Sequence, residues 1–244
     1  MRKFLLISFL LSSCSSFEMP PAFQYRQVET DGFFISAWQK TDNTQNLYYV
    51  YIEGDGNSFN THRQPTNNPT PKSYLVRKLA AQDTHGNVIY LVRPCQFTKG
   101  SQCSQKYWTT ARFASEIIDA EYHAVKQIIG NSPVVLIGYS GGAQIAGLMA
   151  VTKDLNVKKV ITIAGNLDHR AWTEYHHLPP LIQSLNLADY KETFALIPQV
   201  HYVGENDKVI PPILTEKFVE DKKSIRIVPN ATHGDGWNNI LIDL

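Results

Sequence analysis

Two patterns are missing from this 244-residue chain, and each absence excludes a class of protein. Positive charge is not in excess: 23 Lys and Arg stand against 22 Asp and Glu, and the net charge of +1 becomes −1 without Arg2 and Lys3. This balance excludes the basic surface typical of nucleic-acid-binding proteins, so we expect no nucleic-acid partner. Neither H-E-x-x-H nor C-x-x-C occurs. The sequence therefore predicts no metal and no cofactor.

Long apolar runs are also missing after the first eleven residues. Residues 1–11 join a basic start to an apolar stretch that is too short to span a bilayer, which is typical of a secretory signal peptide. The segment Leu11-Ser12-Ser13-Cys14 resembles a bacterial lipobox, which implies cleavage before Cys14 and a lipid anchor on it. Ordinary cleavage nearby, with an incidental Cys14, is the alternative. We predict a signal peptide at 1–13, a tether at 14–22 and a lipid-anchored protein of the bacterial cell envelope, on the periplasmic or outer-membrane side.

Cysteine is scarce, and only Cys95 and Cys103 remain once Cys14 is set aside. An even pair in an exported chain favours a disulfide. It would close a short loop after the fourth predicted strand and contribute about 2.5 kcal/mol in the chain-entropy model. Two free thiols are the alternative. Neither cysteine precedes a glycine turn into a helix, so we predict no thiol nucleophile.

Strands that alternate with helices predict one α/β domain over residues 23–244. We expect a mostly parallel central sheet with helices on both faces and ligands at the carboxyl ends of the strands. A possible small cap lies at 167–198, either over the pocket or simply packed on the sheet. The predicted strands are 23–29, 33–39, 47–52, 88–92, 134–137, 160–163, 199–204 and 224–229. The predicted helices are 72–82, 112–129, one that begins at Ser140 and one that Pro211 and Pro212 begin.

The most informative segment is Gly138-Tyr139-Ser140-Gly141-Gly142, which an apolar strand pattern enters and a small-residue helical pattern leaves. This G-x-S-x-G spelling between a strand and a helix is that of a nucleophile elbow. The serine sits on a strained turn, so the glycines two residues before and after it carry no Cβ. The following helix directs its free N–H groups at the reacting oxygen. Ser140 is thus the predicted nucleophile, a glycine-rich turn being the alternative.

An acid and a histidine should follow Ser140 in that order, each just after a strand. Asp207 follows the strand at 199–204, and His233 follows the next strand. We predict that His233 takes the proton of Ser140 and that Asp207 orients the imidazole. Glu205 and Asp168 are rival acids, because each also follows a strand.

The chemistry also needs two donors for an oxyanion. The backbone N–H of Gly141, directly after the nucleophile, is one candidate. The second is expected after the strand at 47–52, where Glu53-Gly54-Asp55-Gly56 turns the backbone, and by position it is the N–H of Asp55. A plain glycine-rich turn is the alternative.

With these residues the chain resembles the α/β-hydrolase superfamily over most of residues 24–244. It departs from many members at Glu53-Gly54, where those have His-Gly. A second set of residues resembles a group of small exported bacterial members with little assigned function, which implies no substrate. This set comprises Arg93-Pro94-Cys95-Gln96-Phe97, Cys103, Tyr107-Trp108-Thr109 and Arg112-Phe113.

Together these features predict a serine hydrolase that cleaves small-molecule carboxylic esters through an acyl-enzyme. A modest cap favours small soluble substrates over triglycerides. A peptidase or acyltransferase with the same three residues, and a non-catalytic binding module of the same fold, are the alternatives.

Overall fold

The computed structural model describes residues 17–42, 46–238 and 240. The predicted signal peptide and Cys14 lie outside the described residues. No helix within the described ranges is both long and apolar enough to cross a bilayer. The strands are β1 Gln24–Thr30, β2 Phe33–Lys40, β3 Tyr48–Ile52, β4 Val88–Leu91, β5 Val134–Tyr139, β6 Val157–Ile163, β7 Gln199–Gly204 and β8 Ile225–Val228, and the α-helices are α1 Leu75–Gln82, α2 Ser115–Ile129, α3 Gly141–Thr152, α4 His169–Tyr175, α5 Lys191–Ala195 and α6 Pro212–Phe218.

All eight strands form one sheet in the order β1-β2-β4-β3-β5-β6-β7-β8. The hairpin β1–β2 is antiparallel and β2 pairs antiparallel with β4, whereas the remaining pairs are parallel. The hairpin turns at Asp31 and Gly32, whose φ angles are 48° and 84°. Two positive φ angles are what a two-residue hairpin turn requires. The predicted architecture, a mostly parallel central sheet, is confirmed.

Helices cover both faces of the sheet, as predicted. Successive residues of β3 point to opposite faces: Val50 and Ile52 join the core on the α2 and α3 side, whereas Tyr51 joins the core on the α1 side. Because strands of this kind are buried on both faces, their sequences are almost continuously apolar. Trp237 is fully buried in the core on the α1 side.

Two predicted helices begin three residues later than their sequence pattern indicates, which leaves Lys72 and Arg112 in loops. The second helix begins at Ser115 because Ala114 has the extended conformation of an N-cap. The carbonyl of Arg112 accepts a hydrogen bond from the Arg93 guanidinium, and the Arg112 Nε donates to the Thr109 carbonyl at 2.7 Å. Both interactions hold Arg112 outside the helix, where its side chain faces the carboxyl edge of the sheet.

The segment 167–198 packs mainly on the body of the domain. The side chains of Leu187 and Phe194 are buried in the core, and Leu187 lies against Gly147 of α3. Ile182 is 83% exposed and so does not cover a pocket. Trp172 of α4 is the part of this segment that lines the cleft described below.

A carboxyl group is buried on α2. Glu121 has no exposed surface, and neither of its oxygens has a hydrogen-bond partner among the residues that the structure describes. Burial raises its pKa from 4.5 to about 8, because the charged form loses its hydration and the positive charge of Arg93 offsets only part of that loss. Between about pH 4.5 and 8, Glu121 is therefore protonated in the folded state and ionised in the unfolded chain. Stability is lost as the pH rises through this window.

We expect the Glu121→Gln variant to remove this loss. Its thermal midpoint should match that of the wild type near pH 4.5 and exceed it by roughly 5 to 10 °C at pH 9, because the amide carries no charge to bury. Differential scanning calorimetry from pH 4.5 to 9 measures this difference. The exposed Glu116→Gln on the same helix is the control and should shift the midpoint by less than about 2 °C. A difference in thermal midpoint between Glu121→Gln and wild type that stays the same from pH 4.5 to 9 would contradict the expectation.

Candidate active site

Ser140 lies on a strained turn between β5 and α3. Its φ and ψ angles are 52° and −120°, a conformation that non-glycine residues rarely adopt. The turn is held from both sides, because the Ser140 N–H donates to the Ile163 carbonyl at 3.0 Å and the Ser140 carbonyl accepts from Ala143 N–H at 3.1 Å. The surrounding structure thus stabilises a backbone geometry that presents the hydroxyl at the sheet edge.

Close packing explains the glycines on either side of Ser140. A Cβ on Gly138 would lie 2.5 Å from the Ala143 Cα, so the strand and the helix approach too closely for a side chain. A Cβ on Gly142 would lie 2.6 Å from the Glu53 carbonyl oxygen at the end of β3. Gly138 therefore makes room for α3, and Gly142 makes room for the neighbouring strand β3.

The structure brings the three predicted catalytic residues into one hydrogen-bonded chain. His233 Nε2 is 3.0 Å from Ser140 Oγ, and His233 Nδ1 is 2.9 Å from Asp207 Oδ2. The Asp207 side chain is fully buried. Its other oxygen accepts the N–H groups of Val209 and Ile210 at 2.8 and 2.9 Å. This arrangement fixes which imidazole nitrogen faces the serine, so His233 is placed to accept the hydroxyl proton.

The loop that carries His233 is anchored through its backbone. The His233 carbonyl accepts a hydrogen bond from the Tyr139 hydroxyl at 2.9 Å and one from the Trp237 indole at 3.3 Å. The Tyr139 ring also lies 5.3 Å from the imidazole, measured between centroids. The residue before the nucleophile thus positions the base, which the sequence alone did not indicate.

The two rival acids have other partners. Glu205 accepts the backbone N–H of Asn230 at 2.9 Å. Asp168 caps α4 by accepting two of its backbone N–H groups, and it also accepts from the Asn186 amide at 2.7 Å. His233 contacts Asp207 instead of either of them, so the geometry favours Asp207 as the acid.

The turn after β3 lies directly against the nucleophile. A Cβ on Gly54 would be 3.2 Å from the Ser140 Cβ, so only glycine allows this approach without a shift. The Gly54 carbonyl accepts the Gln96 side-chain amide at 2.9 Å, which holds the turn in place. The backbone N–H groups of Gly141 and Asp55 donate to no residue in the described part of the chain. Both amides keep the role of predicted oxyanion donors, and the position of the turn suits that role.

Two buried arginines hold the partly exposed carboxylate of Asp55. Arg93 Nη1 pairs with Asp55 Oδ1, and Arg112 Nη1 lies 2.5 Å from Asp55 Oδ2. Burial by itself would raise the pKa of Asp55, but the charges of Arg112 and Arg93 outweigh it and hold that pKa below its usual value. The sequence alone predicts no role for either arginine. The signal that could have revealed them is their presence in the Arg93-Pro94-Cys95-Gln96-Phe97 and Arg112-Phe113 patterns.

Glu53 lies directly after β3, at the start of this turn. It is buried, and its carboxylate accepts the Tyr90 hydroxyl at 2.7 Å and the Gly54 N–H at 2.9 Å. Burial raises its pKa from 4.5 to about 6, although these two hydrogen bonds oppose the rise. Glu53 therefore stabilises the turn by accepting the backbone N–H of Gly54.

The candidate active site opens into a cleft of about 400 Å³ at the carboxyl edge of the sheet. Its walls are mixed, with apolar side chains beside charged and polar ones. Within the described ranges no three His, Cys, Asp or Glu side chains form a group able to hold a metal ion. The residues that line it include Asp55, Phe59, Lys72, Arg112, Ser140, Trp172, Val209, Ile210 and His233.

A disulfide joins Cys95 to Cys103, with their Cα atoms 5.6 Å apart, which fits the predicted pairing. The closed loop does not itself line the cleft. It contains Gln96, whose side chain accepts the Arg93 N–H at 3.2 Å and donates to the Gly54 carbonyl. The disulfide-closed loop thus stabilises the turn beside Ser140 through the Gln96 side chain.

Comparison with known proteins agrees with this architecture. A family model described as the alpha/beta hydrolase fold matches residues 98–199. A search of curated protein sequences finds no match. The matched region contains the nucleophile turn and its two flanking parallel strands, and Asp207 and His233 lie beyond it.

Solved structures of hydrolases resemble the whole domain. One is the XC6422 protein of Xanthomonas campestris, a serine hydrolase without a lid, with a TM-score of 0.56, 12% identity, and coverage of 93% of this chain and 92% of that one. The esterase Pf2001 of Pyrococcus furiosus has a TM-score of 0.59, 18% identity, and coverage of 89% and 86%. The thioesterase domain of the curacin biosynthetic pathway has a TM-score of 0.55, 12% identity, and coverage of 87% and 94%. The chain therefore has the α/β-hydrolase fold.

Proposed function

We propose that this protein hydrolyses carboxylic esters through an acyl-enzyme on Ser140. The observation that carries the proposal is the continuous hydrogen-bonded chain from Ser140 Oγ through His233 to the buried Asp207. A serine hydroxyl is a weak nucleophile until a neighbouring base accepts its proton. The serine faces a cleft, so an ester can reach it.

The reaction runs in two halves. Ser140 Oγ attacks the ester carbonyl carbon while His233 Nε2 takes its proton, and the carbonyl oxygen becomes an oxyanion beside the N–H groups of Gly141 and Asp55. When this intermediate collapses, the bond to the alcohol breaks and the alcohol leaves with the proton from His233. Water then attacks the acyl-enzyme and gives a proton to His233. The carboxylic acid leaves and the proton returns to Ser140.

The comparisons support hydrolysis as the reaction class, because a serine hydrolase, an esterase and a thioesterase share this fold. An ester agrees with a cleft of modest volume whose walls include Phe59, Trp172 and Ile210. A peptidase or an acyltransferase would use the same three residues on another substrate. A non-catalytic binding module would need neither the strained Ser140 nor its aligned base.

A panel of 4-nitrophenyl esters with acyl chains of two to twelve carbons tests the proposal. We expect turnover with a maximum at short chains, because a cleft of about 400 Å³ cannot enclose a long one. Aminopeptidase and endopeptidase substrates with the same chromophore should not turn over. Cleavage of the peptides but not the esters would replace the ester proposal with the peptidase one, and no cleavage of either would favour a binding module.

We also propose that Cys14 anchors the protein in the bacterial envelope. The full chain expressed in a bacterial host should partition into detergent with the membranes, and Cys14→Ala should become soluble. The variant should keep its esterase activity, because the described domain begins after this residue. Phe17 already packs against Tyr74, so the catalytic domain is held only a few residues from the anchor. Unchanged partitioning of Cys14→Ala would contradict the anchor and leave the catalytic proposal standing.

A further inference from the structure

Arg112 lines the cleft, and one of its guanidinium nitrogens makes no hydrogen bond to the described residues. Arg112 uses Nη1 to bind Asp55 and Nε to bind the Thr109 carbonyl. Its Nη2 donates no hydrogen bond to the described residues, yet it is not among the buried nitrogens that lack a partner, unlike Nε of Arg93. Nη2 is therefore accessible from the cleft that Arg112 lines. A charged donor in this position is available to a ligand.

The arginine is also held rigid. Its carboxylate partner Asp55 is fixed by a second guanidinium, that of Arg93, and the Arg112 guanidinium carbon lies 5.4 Å from the centre of the Phe59 ring. The Arg112 side chain is only 6% exposed. Because little rotamer freedom remains to be lost on binding, such a guanidinium is preorganised for a charge-assisted hydrogen bond.

A second cation lies on the same cleft. Lys72 is exposed, lines the cleft and forms no ion pair with any residue of the described chain. It lies in the loop before α1 and not inside that helix. Two positive side chains from different loops therefore line the cleft that Ser140 also lines.

The carboxylates around the cleft are all occupied. Asp55 is bound by two arginines, and Asp207 is bound by His233 and two backbone amides. Glu53 is bound by the Tyr90 hydroxyl and the Gly54 amide. The charged side chains that remain available to a substrate are thus cationic. The cationic side chains that line the cleft are those of Arg112 and Lys72, and they favour an anionic ligand group.

We propose that the natural ester carries a carboxylate near the scissile bond and that Arg112 Nη2 and Lys72 bind it. This proposal rests on the ester hydrolase function above and adds the substrate class. A neutral ester forgoes both charge-assisted contacts, and a cationic ester is repelled by the same two groups. The apolar side chains of Phe59 and Trp172 would contact the hydrocarbon between the carboxylate and the ester.

Two matched substrate pairs test the proposal with the full-length protein. One pair places the charge on the alcohol side: 3-acetoxybenzoate against its methyl ester. The other places it on the acyl side: 4-nitrophenyl hydrogen adipate against the methyl diester. We expect kcat/KM for the anionic member to exceed that of its neutral partner at least about tenfold in one pair, and the preference should decrease in 0.5 M NaCl because charge contributes to it. Equal rates in both pairs, or preference for the neutral members, would overturn the proposal.

Variants connect the preference to the named residues. Lys72→Gln and Arg112→Gln should each lower the anionic-to-neutral ratio at least about fivefold, and Arg112→Lys should retain more of it than Arg112→Gln. Lys158→Gln, at the opposite end of the sheet on β6, should leave the ratio unchanged. Lys72 is exposed, so its variant remains informative even where Arg112→Gln fails to fold. A ratio unaffected by Lys72→Gln, or by a folded Arg112→Gln, would refute the binding role of that residue. Absence of turnover with every ester would instead overturn the hydrolase function itself.

Discussion

Ser140→Ala should reduce ester turnover roughly 10⁴- to 10⁶-fold, because the acyl-enzyme then has no oxygen on which to form. Folding should hardly change, since alanine removes only the hydroxyl and leaves the backbone turn, which the Ile163 carbonyl and Ala143 amide hold. Initial rates with the best 4-nitrophenyl ester, together with the thermal midpoint, measure both quantities.

Ser132→Ala is the matched control. Ser132 precedes the same strand, β5, at the end opposite to the candidate site. This variant should keep wild-type turnover. A Ser140→Ala variant that is folded and retains more than about one-tenth of the wild-type rate would remove Ser140 from the mechanism and leave the fold unaffected.

His233→Ala and Asp207→Asn should have the second largest effects, each lowering kcat by about 10⁴-fold. Without His233 nothing accepts the proton of Ser140. With asparagine at 207, the amide can donate to Nδ1 and stabilise the tautomer whose Nε2 bears the proton, which then cannot take the serine proton. Steady-state kinetics of both variants and of the double variant measure the effects, and the double variant should be scarcely slower than either single one.

The rival carboxylates supply the controls. Asp168→Asn and Glu205→Gln should reduce kcat less than about tenfold, because their partners are a helix N-terminus and a loop amide. Asp168→Asn should lower the thermal midpoint as the cap of α4 weakens. Loss of activity in either control, with Asp207→Asn nearly as active as the wild type, would reassign the acid.

Much of the fold follows from local sequence patterns. The strands of the sheet are short apolar runs bounded by turn residues, and their order along the chain alternates with helices, so the class of sheet was predictable. The turn at Ser140 was predictable for a stricter reason. Its geometry tolerates no Cβ at Gly138, and the sequence must therefore show glycine there.

Contacts between distant loops were not predictable in the same way. Arg93 and Arg112 meet Asp55 only after three loops converge, and no periodicity records that convergence. The helical pattern even extended too far towards Arg112, because Phe113 is buried for tertiary reasons just before the helix begins. Glu121 is a second example, since a glutamate within an amphipathic helix predicts exposure and this one is fully buried.

The central claim is that Ser140 is a nucleophile activated by His233. The most direct measurement treats the full-length protein with a fluorophosphonate and maps the adduct by peptide mass spectrometry. If His233 activates Ser140, we expect one adduct per chain, located on Ser140. Labelling should be at least about 10³-fold slower in His233→Ala. Labelling at another residue, or equal rates in the wild type and His233→Ala, would contradict this claim.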